Sequence, residues 1–172
     1  MKHLFLSLII SLLGLAGFAQ SGLKIGHINS QELLAAMPEN DSAQAKFDKV
    51  LKEYQSTLET MQVELNNKMQ DYKAKMKDYS DLIRQTKESE LQDLDQRIQQ
   101  FRQEANDNLP KQRDELYRPA LDKAKKAITD VAKENNFTYI LDLSLGAVIY
   151  TSDNSIDILP LVKQKLGIGN KK

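Results

Sequence analysis

The sequence contains no cysteine. No disulfide can staple the chain, thiol chemistry is excluded, and a lipid anchor on a cysteine is excluded with it. Glycine and proline are missing from the middle. All seven glycines lie at or before Gly26 or at or after Gly146, and neither residue type occurs between Pro38 and Pro110. Surplus charge is missing as well. Lys and Arg number 24, and so do Asp and Glu. A duplex-binding protein shows a clustered basic excess, so no nucleic-acid partner is expected. Histidine is scarce, His27 being the only one beyond residue 20, and a His-rich zinc site is thereby excluded.

Residues Met1 to Gln20 read as a cleaved secretory signal rather than part of a fold. Lys2 precedes the apolar runs Leu4 to Ile10 and Leu12 to Leu15, and small residues follow at Gly17 and Ala19, where cleavage is expected. The run is shorter than the roughly 18 to 20 apolar residues that span a bilayer. The expectation is an exported, soluble chain. Loss of residues 1–19 removes Lys2 and no anion, leaving 23 cations against 24 anions. Without staples, such a chain must be stabilised by packing or by association.

The middle is rich in Glu, Lys, Gln, Asp and Leu, which predicts long helix. Apolar residues recur at Phe47, Leu51, Tyr54, Leu58, Met61, Leu65, Met69, Tyr72, Met76, Tyr79 and Ile83. Spacings of four and three alternate, with one extra four between Leu65 and Met69, so this is a coiled-coil stripe with a stutter. A second stripe runs through Leu91, Leu94, Ile98, Phe101, Ala105, Leu109, Gln112 and Leu116. The segment between them, RQTKESE at Arg84 to Glu90, has no apolar residue and is expected to be the tip between two helices.

The flanks differ in kind. LKIGHIN (Leu23 to Asn29) and FTYILDLSLGAVIYT (Phe137 to Thr151) are rich in β-branched and aromatic residues, and the second is expected to form two strands around a tight turn at Ser144 to Gly146. A straight rod across the 39–109 stretch would hold these flanks about 100 Å apart at the helical rise. A hairpin with arms of about 60 to 65 Å brings them together into one sheet. Ser30 is expected to cap a short helix, Asp41 or Asn40 to cap the first arm, and Asp157 to cap a last helix with Pro160 in its first turn and Gly167 at its end. Pro110 and Pro119 predict a bend or break in the returning arm and a new helix near Pro119 that buries Leu121, Ala124, Ile128 and Val131.

The fold class expected is therefore α+β: a small β-sheet or barrel base, residues 21–38 and 119–172, with a long antiparallel helical coiled-coil hairpin over 39–118. A base this small is marginal alone, which predicts an obligate oligomer. The residues expected to associate are Ile25, Ile28, Phe137, Tyr139, Leu141, Leu143, Val148 and Tyr150.

No enzyme is indicated. No nucleophile elbow, phosphate loop or dinucleotide fingerprint occurs, and the acidic residues are interspersed with Lys and Arg, the pattern of a solvated helix face. No cofactor or metal is expected. His27 sits in a predicted strand, and the sequon Asn136-Phe137-Thr138 leads another.

The order of signal, short strand and charged helical hairpin, followed by RPALDKAKKAITDVAKENNFTYILDLSLGAVIYTSDNSIDI (Arg118 to Ile158), is similar to the Skp/OmpH family of periplasmic chaperones. The resemblance covers essentially the whole mature chain, and its more specific part is Ala127 to Ile158. It implies a homotrimer whose shared β base carries helical hairpins around a cavity, where unfolded outer-membrane proteins are held without nucleotide. The near-neutral charge departs from the strongly basic pattern of that family. The stretch Lys68, Lys73, Lys75, Lys77, Arg84 and Lys87 is interrupted by Asp71, Asp78 and Asp81. It reads as a solvated face, and weak contact with a membrane surface or lipopolysaccharide is left open.

A seam of Met and Tyr packs less specifically than Leu and Ile would, because thioethers are unbranched and adaptable, and such a seam suits an arm that flexes. The residues expected to touch clients are Val63, Met69, Met76, Tyr79 and Leu82. A coiled-coil scaffold or spacer of the cell envelope is the alternative. Such a strut favours regular Leu and Ile heptads without a stutter or internal proline.

Overall fold

The computed structural model describes residues 23–169, so the expected signal segment lies outside the described residues. Strand β1 (Ile25–Ile28) leads into a short helix α1 (Ser30–Ala35), followed by two long helices, α2 (Pro38–Lys75) and α3 (Asp81–Glu134). Strand β2 (Tyr139–Asp142), a 3-10 turn (Leu143–Leu145), strand β3 (Ile156–Asp157) and helix α4 (Leu159–Lys165) complete the chain. Long helices with one small sheet confirm the α+β expectation. By contacts the chain divides into two units, one of residues 23–33 and 126–169, the other Leu34–Lys125.

In the first unit the strands order β2-β1-β3, and both pairings are parallel. Ile25 lies opposite Tyr139 and Ile28 opposite Asp142, while Gly26 and His27 lie opposite Ile156 and Asp157. Gly26 is required by a close approach. A Cβ there would lie 2.9 Å from Phe137 Cε1, 3.0 Å from Ile140 Cδ1 and 3.1 Å from Ile158 Cγ2. Ile28, Leu33, Val131, Ile158, Leu159 and Val162 are buried in this unit.

The expected strand at Ala147 to Tyr150 does not form. The Asp142 carboxylate accepts the Ser144 N–H at 3.0 Å, which starts a 3-10 turn that ends at Gly146 in the left-handed region. Residues 147–151 then run without a strand partner, and the third strand is Ile156–Asp157. Val148 and Tyr150 therefore belong to an irregular segment and not to a hairpin.

Several caps also differ from expectation. Asn29, not Ser30, caps α1, its Oδ1 accepting the Glu32 N–H at 3.1 Å. Helix α2 starts at Pro38 with Met37 at the cap position and no side-chain cap, so neither Asn40 nor Asp41 serves there. Proline at the first position stands in for the cap, because its fixed φ is already helical and its missing donor would be unpaired anyway. Asp157 does accept the Leu159 N–H at 2.8 Å, and Gly167 past the end of α4 has φ +69°.

Pro110 and Pro119 do not break α3, which runs through both for 54 residues. Each removes the bond to the carbonyl four residues back, at Asn106 and Glu115. Both of those residues are exposed, so water can satisfy the freed oxygens and the packed turns on either side keep the helix continuous. The buried stripe there is Ala120, Ala124, Ala127 and Val131, and Leu121 is exposed, contrary to expectation. Helix α3 ends in Asn136 at φ 56°, with Phe137 N–H donating to Ala132 O and Asn136 N–H to Lys133 O. This is a Schellman close with Asn in glycine's place.

Candidate functional surfaces

In the second unit α2 and α3 pair antiparallel. Gln44 accepts the Tyr117 hydroxyl at 2.5 Å, the Tyr54 and Phe101 rings lie 5.5 Å apart, and the Tyr72 hydroxyl donates to Glu88. Partners fall along α3 as they rise along α2, which defines a hairpin. Its turn is at residues 76–80. The expected tip, Arg84 to Glu90, lies inside α3 instead. Its polar side chains are good helix formers, and the reversal comes where Asp78 N–H donates to Lys75 O and Ser80 accepts from the first turn of α3.

Packing in this hairpin is uneven. Leu94 and Ile98 on α3 and Met37 and Ala43 at the start of α2 are buried, yet no residue from 44 to 93 is. Leu51, Tyr54, Leu58, Met61 and Leu65 are half-buried. The far stretch, around the turn, is held by half-buried tyrosines: Tyr79 lies 6.3 Å from the Tyr72 ring, and Tyr72 is pinned to Glu88, whose bond raises the phenol pKa. Of the expected client-contact residues, Val63 is 53% and Leu82 75% exposed, and Met69 and Met76 are also exposed. Tyr79 is not free in this sense, because the seam uses it.

Charge on the hairpin is locally neutralised. Lys68, Lys75, Arg84 and Lys87 pair with Glu64, Asp71, Asp81 and Glu90, all at three- or four-residue spacing. Lys87 is raised and Glu90 lowered from their ordinary pKa values by the hydrogen bond between them. Such exposed pairs contribute little to stability and leave little net field.

The first unit carries a different surface. One face of the sheet is turned inward through Gly26 and Ile28. The other presents Ile25, Tyr139 and Leu141, all exposed. An open groove of about 310 Å3 on this face is lined by Ile25, His27, Leu141, Val148 and Tyr150, among others. Four of the expected association residues therefore converge on one groove. Ile28 does not join them, being buried within its own unit. Phe137 is half-buried beside Gly26 with the Lys24 ammonium 4.3 Å from its ring centre, and Leu143 is half-buried in the 3-10 turn. Sequence reasoning missed Ile149, 98% exposed beside Tyr150 at 80%. Its apolar run AVIY was legible, but the expected hairpin gave it a partner.

His27 donates from Nδ1 to the Ile156 carbonyl at 3.0 Å and links β1 to β3. Among the described residues no group of three or more metal-ligating side chains occurs, and no helix is long and apolar enough to cross a membrane.

No curated protein matches the chain by sequence. Among solved structures, a Caulobacter crescentus protein named provisionally as an outer membrane chaperone (OmpH-like) shares the fold, with a TM-score of 0.73 at 14% identity over 86% of each chain. The sequence matches the profile described as outer membrane protein (OmpH-like) across residues 24–166, and the chain belongs to that family.

Proposed function

We propose that this protein is an ATP-independent periplasmic holdase: a homotrimer that holds unfolded outer-membrane proteins between the helical hairpins of its copies and prevents their aggregation. One observation carries the reading. Residues 44–93 contain no buried side chain while Val63, Met69, Met76 and Leu82 stand exposed, so this hairpin offers weak, adaptable apolar contacts on a loosely packed support. Family membership supports a chaperone role, and the Caulobacter protein's name points the same way. No nucleotide, cofactor or catalytic group enters this reading. The bare sheet face around Ile25, Tyr139 and Leu141 is proposed as the surface that copies share.

The test is dilution of a denatured outer-membrane β-barrel protein into buffer with the mature chain and no nucleotide, followed by light scattering at low and high salt. Suppressed scattering near one trimer per client is expected. Full scattering in the presence of folded, oligomeric protein would move the assignment to a coiled-coil spacer. The unbroken α3 favours that second reading, since the prolines do not interrupt it, whereas the unburied stretch 44–93 favours the holder.

A further inference from the structure

Four of the five methionines lie in described residues, and their surroundings diverge. Met37 is 0% exposed and Met61 is half-buried, but Met69 is 37% and Met76 40% exposed. Met69 follows the stutter after Leu65 and lines an open groove between α2 and α3 together with Ile98, Gln99 and Arg102. Met76 leaves the end of α2 into the turn. A thioether within reach of solvent takes an oxygen atom from a two-electron oxidant, and one sealed in a core does not.

We propose that Met69 and Met76 are sites of reversible oxidation to methionine sulfoxide, and that oxidation there weakens client holding. The oxidant class is a hypohalous acid, with hypochlorous acid as the probe. The thioether sulfur bonds to the oxygen as the O–Cl bond breaks. Sulfur loses two electrons, chlorine leaves as chloride, and the hydroxyl proton passes to water. At Met69 the new sulfoxide oxygen enters an open groove whose other lining residues include Asp95, Gln99 and Arg102, so water can solvate it and the hairpin survives. What changes is the contact surface: two exposed apolar side chains become polar on a hairpin whose other exposed apolar side chains include Val63, Leu82 and Ile83. The effect on holding rests on the holdase reading above, but the sites themselves do not.

The folded full-length mature protein is treated with a few equivalents of hypochlorous acid and analysed by peptide mass spectrometry. One added oxygen is expected at Met69 and Met76 before Met61, with Met37 unmodified until denaturant is added. Oxidation of Met37 in the folded protein as fast as Met69 overturns the site assignment. In the refolding assay, the oxidised protein should need about threefold to tenfold higher concentration for equal suppression, and methionine sulfoxide reductases should restore it. In M69L/M76L, measured against its own untreated sample, the same dose should cause no fall. Undiminished holding by oxidised wild-type protein overturns the functional half. Failure of the untreated protein to hold client sinks the holdase reading instead, and the mass spectra still decide the sites.

Discussion

Asp142 and Ser30, 112 residues apart in sequence, are joined twice: the Asp142 carboxylate accepts the Ser30 hydroxyl at 2.5 Å and the Ser30 N–H at 3.2 Å. The same carboxylate takes the Ser144 N–H. One side chain thus ties the end of β2 to the start of α1 and sets the turn that ends the strand.

Burial alone would raise the Asp142 pKa, but the hydrogen bonds from Ser30 and Ser144 outweigh it and hold the carboxyl below its ordinary value. A pKa lower in the folded than in the unfolded chain gives stability that is fully present above the unfolded value of about 4 and lost as pH falls through the folded one. Thermal melts of wild type should therefore fall below about pH 4 more steeply than those of Asp142→Asn. Parallel curves would show that the link contributes no pH-dependent stability. At pH 7, Asp142→Ala should lose about 2 to 3 kcal/mol, the size of hydrogen bonds to a charged acceptor.

Gly26→Ala should destabilise by about 1 to 3 kcal/mol, because its methyl meets Phe137, Ile140 and Ile158 at once. Phe137 is the nearest neighbour. Adding Phe137→Leu should recover part of the loss, measured by denaturant midpoints. An unchanged midpoint for the single variant would contradict the close approach.

Leu94→Ala and Ile98→Ala remove side chains only 1% and 2% exposed and should each cost about 2 to 4 kcal/mol. Val63→Ala, on the exposed hairpin surface, should stay within about 0.5 kcal/mol. Equal losses at Val63 and Leu94 in chemical denaturation would mean that Val63 is covered in the assembled protein.

If copies share the bare sheet face, Tyr139→Asp combined with Leu141→Asp should convert the trimer to monomer in analytical ultracentrifugation at low micromolar concentration, since two charges would be buried without partners. Lys73→Asp, on the exposed hairpin, should leave the mass unchanged. A trimer that persists in the double variant would place the association surface elsewhere.

Much of this architecture was legible in the residues. The absence of Gly and Pro over 39–109 and the stripe from Phe47 to Ile83 sufficed for long helix, because helix periodicity is a local property repeated many times, and the β-rich flanks at both ends called for the hairpin. The turn was misplaced for a physical reason. RQTKESE lacks apolar residues but consists of helix formers, whereas Asp78, Tyr79 and Ser80 interrupt the chain without any glycine to announce it. The β segments were harder, since strand partners are chosen by tertiary contact. Nothing in Ala147 to Tyr150 says that Asp142 will divert the chain into a 3-10 turn, nor that Ile156–Asp157 will take the vacant edge of β1.

By itself, then, the amino-acid order determined what is repeated and local: two long helices, a soft Met and Tyr stripe, a neutral charge pattern, and a chain without covalent staples. Tertiary structure alone decided which groups far apart in sequence meet. It set all three strands parallel around Gly26, carried α3 through two prolines whose freed carbonyls belong to exposed residues, and left residues 44–93 without a fully buried side chain while sealing Leu94 and Ile98. Helix periodicity is written every few residues, but a close approach at one glycine or a carboxylate joined to a serine 112 positions away exists only once the chain has closed on itself.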